Sequence, residues 1–287
     1  MKKRTSFALV LAAAAFLAGC QGPCDKMEPI TGPQLTSGAA DFSTYVSLGT
    51  SISSGWQSNG LVNRHQVRAF PALFAQQLGR TASVSGQGAF SFPAVGNDGF
   101  PPLLRLRSLS PLLIDTTGAV RGGSINYGWA TAYHNMAVPY SVLLDAVDTS
   151  GYYATQAPLF RPSYQHFFFD NTARHRGPIL NQALSLSPTF MSIELGANEL
   201  LGSATSGGTT PVFPTGTYAA VLTQVLNAIH TALPNCKVAL FNPPQPATIP
   251  FFTTFSPLTV RLSDGAPIPL LGDTGPLSAS DLVLLTA

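Results

Sequence analysis

A buried-strand pattern that ends in a run of hydroxyl residues constrains this chain most. Residues 44–55 read Thr-Tyr-Val-Ser-Leu-Gly-Thr-Ser-Ile-Ser-Ser-Gly. Tyr45 and Val46 belong to the residue types that a buried strand favours. Because Gly49 permits a tight turn after the strand, that turn can lift the side chain of Ser51 out of the sheet. The pattern makes Ser51 a candidate nucleophile.

The same segment also fits an ordinary strand-to-loop turn, since Ser and Gly are common in turns. It does not match the G-x-S-x-G turn of α/β-hydrolases, because Ser53 stands where that motif has its last Gly. The segment alone therefore does not distinguish a catalytic turn from a structural one.

The N-terminus has the organisation of a targeting segment. Lys2, Lys3 and Arg4 precede an apolar run over residues 7–17 that is too short to span a bilayer. The run ends in Leu-Ala-Gly-Cys, which resembles the lipobox of bacterial lipoprotein signal peptides. The resemblance implies that residues 1–19 are removed and that the thiol of Cys20 is lipidated. The alternative is an ordinary secreted protein in which this Cys occurs by chance.

The residues after Cys20 indicate where the protein is held. Gln21 stands where the inner-membrane retention signal of enteric lipoproteins has Asp, so we expect a lipid-anchored protein of the bacterial cell envelope, at the outer membrane.

Residues 20–41 are polar with several Pro and Gly and predict a flexible tether. The folded domain is predicted over residues 42–287. A net charge of +2 without a later basic run gives no case for a nucleic-acid partner.

Two further cysteines leave alternatives open. Cys24 and Cys236 could form a disulfide in an oxidising periplasm. Equally, Cys24 could be free in the tether while Cys236 is buried at the start of an apolar strand. No Cys and His cluster has the spacing of zinc ligands. The sequence therefore implies neither a metal nor another cofactor.

Strand and helix patterns alternate along the domain. Strand patterns cover residues 44–49, 130–139, 190–195 and 237–242, and helix patterns cover residues 66–78, 142–147, 178–186 and 218–233. This order predicts an α/β fold with a parallel sheet and covering helices.

Two loop-rich segments interrupt this alternation. Residues 83–123 are predicted as an insertion in which a weakly alternating stretch forms a hairpin turning at Gly118. Residues 152–175 are aromatic and read as irregular. The insertion either lines a substrate cleft or only covers the fold. The aromatic segment either forms an acyl-binding wall or lid, or packs into the core.

Three separated blocks carry a family resemblance. Gly49-Thr50-Ser51-Ile52-Ser53, the segment from Asn135 to Tyr140, and Gly196-Ala197-Asn198-Glu199 together resemble the SGNH (GDSL-type) hydrolases, a family of esterases and lipases. The resemblance implies a flavodoxin-like three-layer α/β/α sandwich. It also implies that Ser51 is the nucleophile, and that the Asn198 side chain and the backbone N–H groups of Ser51 and Tyr140 stabilise the oxyanion.

The chain also departs from the family pattern. Thr50 replaces the usual Asp, which is not the catalytic one. Tyr140 replaces a Gly, and a positive φ would be strained there. The family's D-x-x-H block, which supplies the catalytic His and Asp, is missing: no His has Asp three residues before it. The five histidines are His65, His134, His166, His175 and His230.

These observations lead to two functional expectations. The first is a carboxylic-ester hydrolase acting on an ester or an acylated small molecule, lipid or glycan, for which this chain is a C-terminally truncated fragment. Without a base for Ser51 we expect such a chain to be almost inactive. The second is a non-catalytic surface lipoprotein that binds lipid or glycan through its aromatic loops.

Overall fold

A computed structural model describes residues 37–148, 165–253, 270–272, 275–278 and 281. The fold belongs to the compact unit formed by residues 40–287. The predicted signal peptide, Cys20, Cys24 and part of the aromatic segment lie outside the described residues, so the anchoring and disulfide hypotheses stay predictions. Within the described ranges, no helix has both the length and the apolar character needed to cross a bilayer.

The described elements are, in chain order, β1 (Tyr45–Gly49), α1 (Ser51–Ser54), α2 (Asn63–Gln66), α3 (Phe70–Gln77), β2 (Arg105–Leu109), β3 (Leu112–Asp115), a 3-10 turn (Leu143–Ala146), α4 (Gln165–Ala173), α5 (Ile179–Ser185), β4 (Phe190–Glu194), α6 (Ala197–Thr205), α7 (Thr215–Ala232), β5 (Lys237–Leu240), a second 3-10 turn (Pro246–Thr248), α8 (Pro250–Thr253), β6 (Leu271–Gly272) and β7 (Gly275–Pro276).

A parallel three-stranded sheet in the order β1-β4-β5 forms the centre of the molecule. Tyr45 of β1 is aligned with Phe190 of β4, which in turn is aligned with Lys237 of β5. The strands run in one direction because helices connect them, with α6 and α7 lying between β4 and β5 in the chain. The predicted mixed α/β fold with a parallel sheet is confirmed.

The predicted strand over residues 130–139 is only partly formed. Backbone hydrogen bonds run from the Ser47 N–H to the His134 carbonyl (2.8 Å) and from the Met136 N–H to the Ser47 carbonyl (2.8 Å). Ser47 and Asn135 form a parallel bridge rather than a full strand pair. The segment thus borders β1 on the side opposite β4 for a few residues, and the Val138 N–H continues this pairing to the Gly49 carbonyl at 2.9 Å.

The two faces of the sheet pack against different helices. Alternation along β1 points Val46 and Leu48 to one face and Tyr45 to the other. The first face packs against α5 and α7, through residues such as Leu180 and Val225. The second packs against α3 and the residues following it. Helices on both faces of a parallel sheet are compatible with a three-layer α/β fold.

Three sequence expectations are corrected locally. The hairpin of residues 103–123 turns at Ser110-Pro111, between β2 and β3, and not at Gly118. The described end of the aromatic segment is helical, since α4 buries Phe168 and Phe169 in the core. The helix predicted from residue 66 is split, because Ala69 takes an extended conformation ahead of Pro71 and α3 begins at Phe70.

The central position of β4 makes its apolar side chains critical for stability. Ile193 is fully buried in this strand. We expect Ile193→Ala to lower the free energy of unfolding by about 2–5 kcal/mol, because it removes buried carbons and leaves a cavity. Leu73→Ala on the exposed side of α3 is the matched control, with an expected change below about 0.5 kcal/mol. Urea unfolding followed by circular dichroism measures both, and equal losses would contradict this view of the core.

Candidate active site

Three segments that are far apart in the sequence meet at the carboxyl-terminal edge of the sheet. The Gly49 carbonyl at the end of β1 accepts hydrogen bonds from the Val138 N–H (2.9 Å) and from the Ser141 hydroxyl (3.3 Å). The Ser141 carbonyl in turn accepts a hydrogen bond from Nδ2 of Asn198 at 2.7 Å. The structure therefore brings together the three blocks that carry the family resemblance.

Ser51 is the first residue of α1, directly after the end of β1. Its carbonyl is held by the Trp56 N–H at 3.0 Å and by the Ser54 hydroxyl at 2.9 Å. Its side chain is half-buried, and the neighbouring Ile52 is 54% exposed. Within the described part of the chain, neither the Ser51 hydroxyl nor its backbone N–H has a hydrogen-bond partner. The Ser51 backbone is thus held through its carbonyl, while its hydroxyl is not engaged by any described residue.

The Glu194 side chain holds this turn through hydrogen bonds, a role that the sequence analysis did not predict. Its carboxylate lies at the end of β4, is 8% exposed, and receives hydrogen bonds from the backbone N–H and the hydroxyl of both Thr50 and Ser53. The distances range from 2.8 Å to 3.3 Å. A signal was present in the sequence, since an acidic residue ends an otherwise apolar strand, and buried carboxylates need such partners.

The need for Gly49 follows from this arrangement. A Cβ added at Gly49 would lie 2.1 Å from Oγ of Ser53 and 3.1 Å from Oε2 of Glu194. Any side chain there would displace the residues that hold the turn. Gly49 is therefore needed for the close packing of the Ser53 and Glu194 side chains as well as for the turn.

Asn198 stands in the first turn of α6, which begins after Gly196 at the end of β4. Gly196 has a φ of +119°, and a Cβ there would lie 2.6 Å from the Tyr218 hydroxyl oxygen. The Asn198 amide group is half-buried, and its bond to the Ser141 carbonyl uses one of its two N–H donors. One donor thus remains for a further acceptor.

Tyr140 has a φ of +64°, which is the left-handed backbone conformation. This is the positive φ that the sequence analysis identified as strained for a residue in place of Gly. Its ring contacts the Trp56 ring edge-on at a centroid distance of 5.3 Å, and Trp56 packs against Phe168 at 5.5 Å. The aromatic contacts anchor a residue whose backbone conformation is unfavourable for a non-glycine side chain.

No hydrogen bond joins Ser51 to any of the five histidines, all of which lie in the described ranges. Nδ1 of His134 accepts a hydrogen bond from the backbone N–H of the fully buried Ser91 at 3.2 Å, and burial lowers the pKa of this imidazole. His175 lies 3.0 Å from the Asp170 carboxylate on the surface. His230 is exposed on α7.

Asn135 has a structural role in this arrangement. Its Nδ2 donates to the Ser53 carbonyl at 2.9 Å, and its Oδ1 accepts from the Ala137 N–H at 3.2 Å. The side chain thereby ties the last turn of α1 to the segment bordering β1. It stabilises the turn that carries Ser51.

A largely apolar cavity of about 250 Å³ lies where β4 and β5 end, and its lining includes Ile52, the residue after Ser51. The rings of Phe70 and Phe241, which also line it, are in contact with centroids 5.1 Å apart. Its lining includes Ile52, Phe70, Leu195, Phe241, Pro243 and Pro244. A small apolar group of a ligand could be bound here, one residue away from Ser51.

A scan against models of known protein families and searches among curated proteins and solved structures return no match. The described residues also contain no group of three His, Cys, Asp or Glu side chains placed to hold a metal ion.

The hydrogen bonds to Glu194 predict a large effect of its removal. We expect Glu194→Ala to lower the free energy of unfolding by about 3–5 kcal/mol, because buried donors of Thr50 and Ser53 lose their acceptor and a cavity opens. Glu194→Gln keeps one acceptor oxygen and should cost about 1 kcal/mol. Urea unfolding measures both. An alanine variant as stable as the parent protein would show that these bonds do not hold the turn.

The backbone of Tyr140 permits a test with two truncations. Tyr140→Ala and Tyr140→Gly both remove the contact with Trp56, but only Gly is free of strain at positive φ. We therefore expect the Gly variant to be more stable than the Ala variant by about 1 kcal/mol. Thermal unfolding followed by circular dichroism compares them, and the reverse order would mean that the left-handed conformation is not retained.

Proposed function

We propose that this chain belongs to a serine ester hydrolase of the SGNH type, with a three-layer α/β/α fold and a lipid anchor in the bacterial envelope. The observation that carries the proposal is the junction of Gly49, Ser141 and Asn198 near Ser51, whose side chain has no hydrogen-bond partner among the described residues. An ordinary structural turn has no need to leave its hydroxyl available next to a second, separately positioned amide donor.

The chemistry follows from these positions. The Ser51 hydroxyl oxygen attacks the carbonyl carbon of an ester, and the carbonyl oxygen takes up the negative charge. The Ser51 N–H and the remaining amide N–H of Asn198 are the candidate donors for that oxyanion, with the Tyr140 N–H as a third. A donor fixed where this charge develops is worth about 3 kcal/mol. Such groups stabilise the transition state only if their positions are held in advance, which is what the Glu194 carboxylate does for the Ser51 turn.

The apolar cavity suggests the size of the group that is bound. At about 250 Å³ it lies below the usual range for a drug-sized ligand. Its aromatic and Pro lining offers no charge to a substrate apart from the buried Glu194. We therefore infer that the cavity receives a short acyl or alkyl group of an ester or acylated molecule rather than a long chain.

The proton of the Ser51 hydroxyl needs an acceptor, and no described residue is hydrogen-bonded to that hydroxyl. This observation favours the second candidate function, a surface lipoprotein that binds acylated lipid or glycan without cleaving it. The two candidates share the binding cavity and differ only in the activation of Ser51.

Hydrolysis of p-nitrophenyl acetate tests the enzyme directly. In the full-length protein, the Ser51→Ala substitution should reduce kcat/KM by roughly 10³-fold or more relative to the parent, because the nucleophile is lost. Ser85→Ala is the control, since it removes an exposed hydroxyl outside the turn that carries Ser51 and should leave the rate within about threefold.

A fluorophosphonate probe provides a second readout. It should attach covalently to Ser51, and mass spectrometry of the labelled peptide identifies the site. If Ser51→Ala leaves both hydrolysis and labelling unchanged, the enzyme hypothesis is wrong. If neither occurs in the parent protein but a short-chain ester still binds, the binding lipoprotein is the correct function.

A further inference from the structure

The β2–β3 hairpin projects apolar side chains into solvent, and the function proposed above does not use them. Leu106, Leu109, Leu112 and Ile114 are 58%, 79%, 67% and 50% exposed. Isolated exposed leucines are ordinary, but adjacent ones on a small element indicate an interaction surface. The hairpin lies in the segment that the sequence identified as an insertion without a definite role.

The pairing of the two strands collects these four residues on one face. Leu106 pairs with Ile114 and Leu109 pairs with Leu112, and directly paired residues point to the same side of an antiparallel sheet. In a regular strand, Leu106 and Leu109 would point to opposite sides, because they are three residues apart. The register shift between Leu106 and Ser108, in which Arg107 is the extra residue, brings Leu109 back to the side on which Leu106 lies.

The opposite face of the hairpin is polar at its base. Arg105 pairs with Asp115 across the ladder and forms an ion pair with Asp98, while Nε of Arg107 lies 2.9 Å from the Asp115 carboxylate. Leu113 and Ser108 complete this face nearer the turn. The hairpin is therefore apolar on one face and at its tip, and charged at the base where it joins the domain.

We propose that this apolar face, formed by Leu106, Leu109, Leu112 and Ile114, docks onto the surface of a lipid bilayer. The polarity of the hairpin matches that of the bilayer interface, where apolar chains lie beneath charged headgroups. Arg105 and Arg107 lie in the hairpin outside this face and can contact anionic headgroup phosphates, although their ion pairs with Asp98 and Asp115 offset part of their charge.

The depth of the contact is limited by the backbone. In the described part of the chain β2 and β3 form a sheet of two strands, so each has an outer edge of N–H and C=O groups without a strand partner. Such groups are too costly to place in the hydrocarbon core. The hairpin therefore lies flat at the interface.

The predicted lipid at Cys20 makes this docking geometrically accessible. A tether over residues 20–41 spans at most about 70–80 Å when fully extended, so the domain would remain close to the membrane. The hairpin would then give the tethered domain one preferred orientation. This inference does not depend on catalysis by Ser51.

Two adjacent leucines provide a matched test. The background is the full-length lipidated protein in which Cys24→Ser and Cys236→Ser remove the other thiols. In this background, Leu112→Cys places an NBD fluorophore on the apolar face, and Leu113→Cys places it on the opposite face. The probe is a vesicle of phosphatidylethanolamine and phosphatidylglycerol, with or without bromine atoms on the acyl chains. The parent without an added Cys gives the labelling background.

We expect the label at residue 112 to shift its emission to shorter wavelength on vesicles and to be quenched by brominated lipid. The label at residue 113 should show a much smaller shift and little quenching. Leu109→Ser added to the Leu112→Cys protein should weaken the quenching, because it removes the paired apolar side chain.

Two results would overturn the proposal. Equal emission and quenching at both positions would mean that the face does not contact the bilayer in this orientation. Shielding of the residue 112 label from iodide before vesicles are added would mean that a second copy, or another part of this chain, already covers the face.

Discussion

The turn that carries Ser51 depends on one buried carboxylate. Glu194 ends the central strand β4, and its oxygens collect N–H and O–H donors of Thr50 and Ser53 from the end of the neighbouring strand. Water is excluded there, so these bonds are strong and an unpaired partner would be costly. The carboxylate thus links the geometry of the turn to the pairing of β1 with β4. A shift of either strand would break several of these bonds together.

This link explains why small residues surround the site. Gly49 leaves space for the Ser53 side chain that reaches Glu194, and Gly196 leaves space for Tyr218 at the start of α6. Tyr140 is the exception, since it accepts a left-handed backbone where Gly would be unstrained. Its ring contact with Trp56 offsets this cost and connects the site to Phe168 of the core. The junction is therefore assembled from both close backbone packing and aromatic contacts.

The hairpin and the Ser51 junction are built on different physical principles. The junction is buried and polar, and each of its hydrogen bonds restricts the position of a side chain. The hairpin is exposed and apolar, and its character depends on a register shift at Arg107 that places two apolar pairs on one face. The two regions therefore carry separate proposals, chemistry on a small group at the Ser51 junction and contact with a membrane surface at the hairpin.

Much of the fold could be predicted because its signals are local or periodic. Strand patterns at residues 44–49 and 190–195 and the long helix at residues 218–233 correspond to β1, β4 and α7. The position of Gly49 and Asn198 at one edge of the sheet is a consequence of the predicted parallel sheet, since parallel strands place their carboxyl ends on one edge. The partners of these residues did not follow from the sequence. The bond between Glu194 and Thr50 and the bond between Asn198 and the Ser141 carbonyl depend on tertiary contacts. The common face of Leu106 and Leu109 depends on strand register. Amino-acid sequence alone determined β1, β4 and α7, because strand and helix preferences are encoded by neighbouring residues. Only the tertiary structure decided which side chains meet, because that depends on contacts between distant segments, such as the hydrogen bond between Tyr45 and Ser192, which are 147 residues apart.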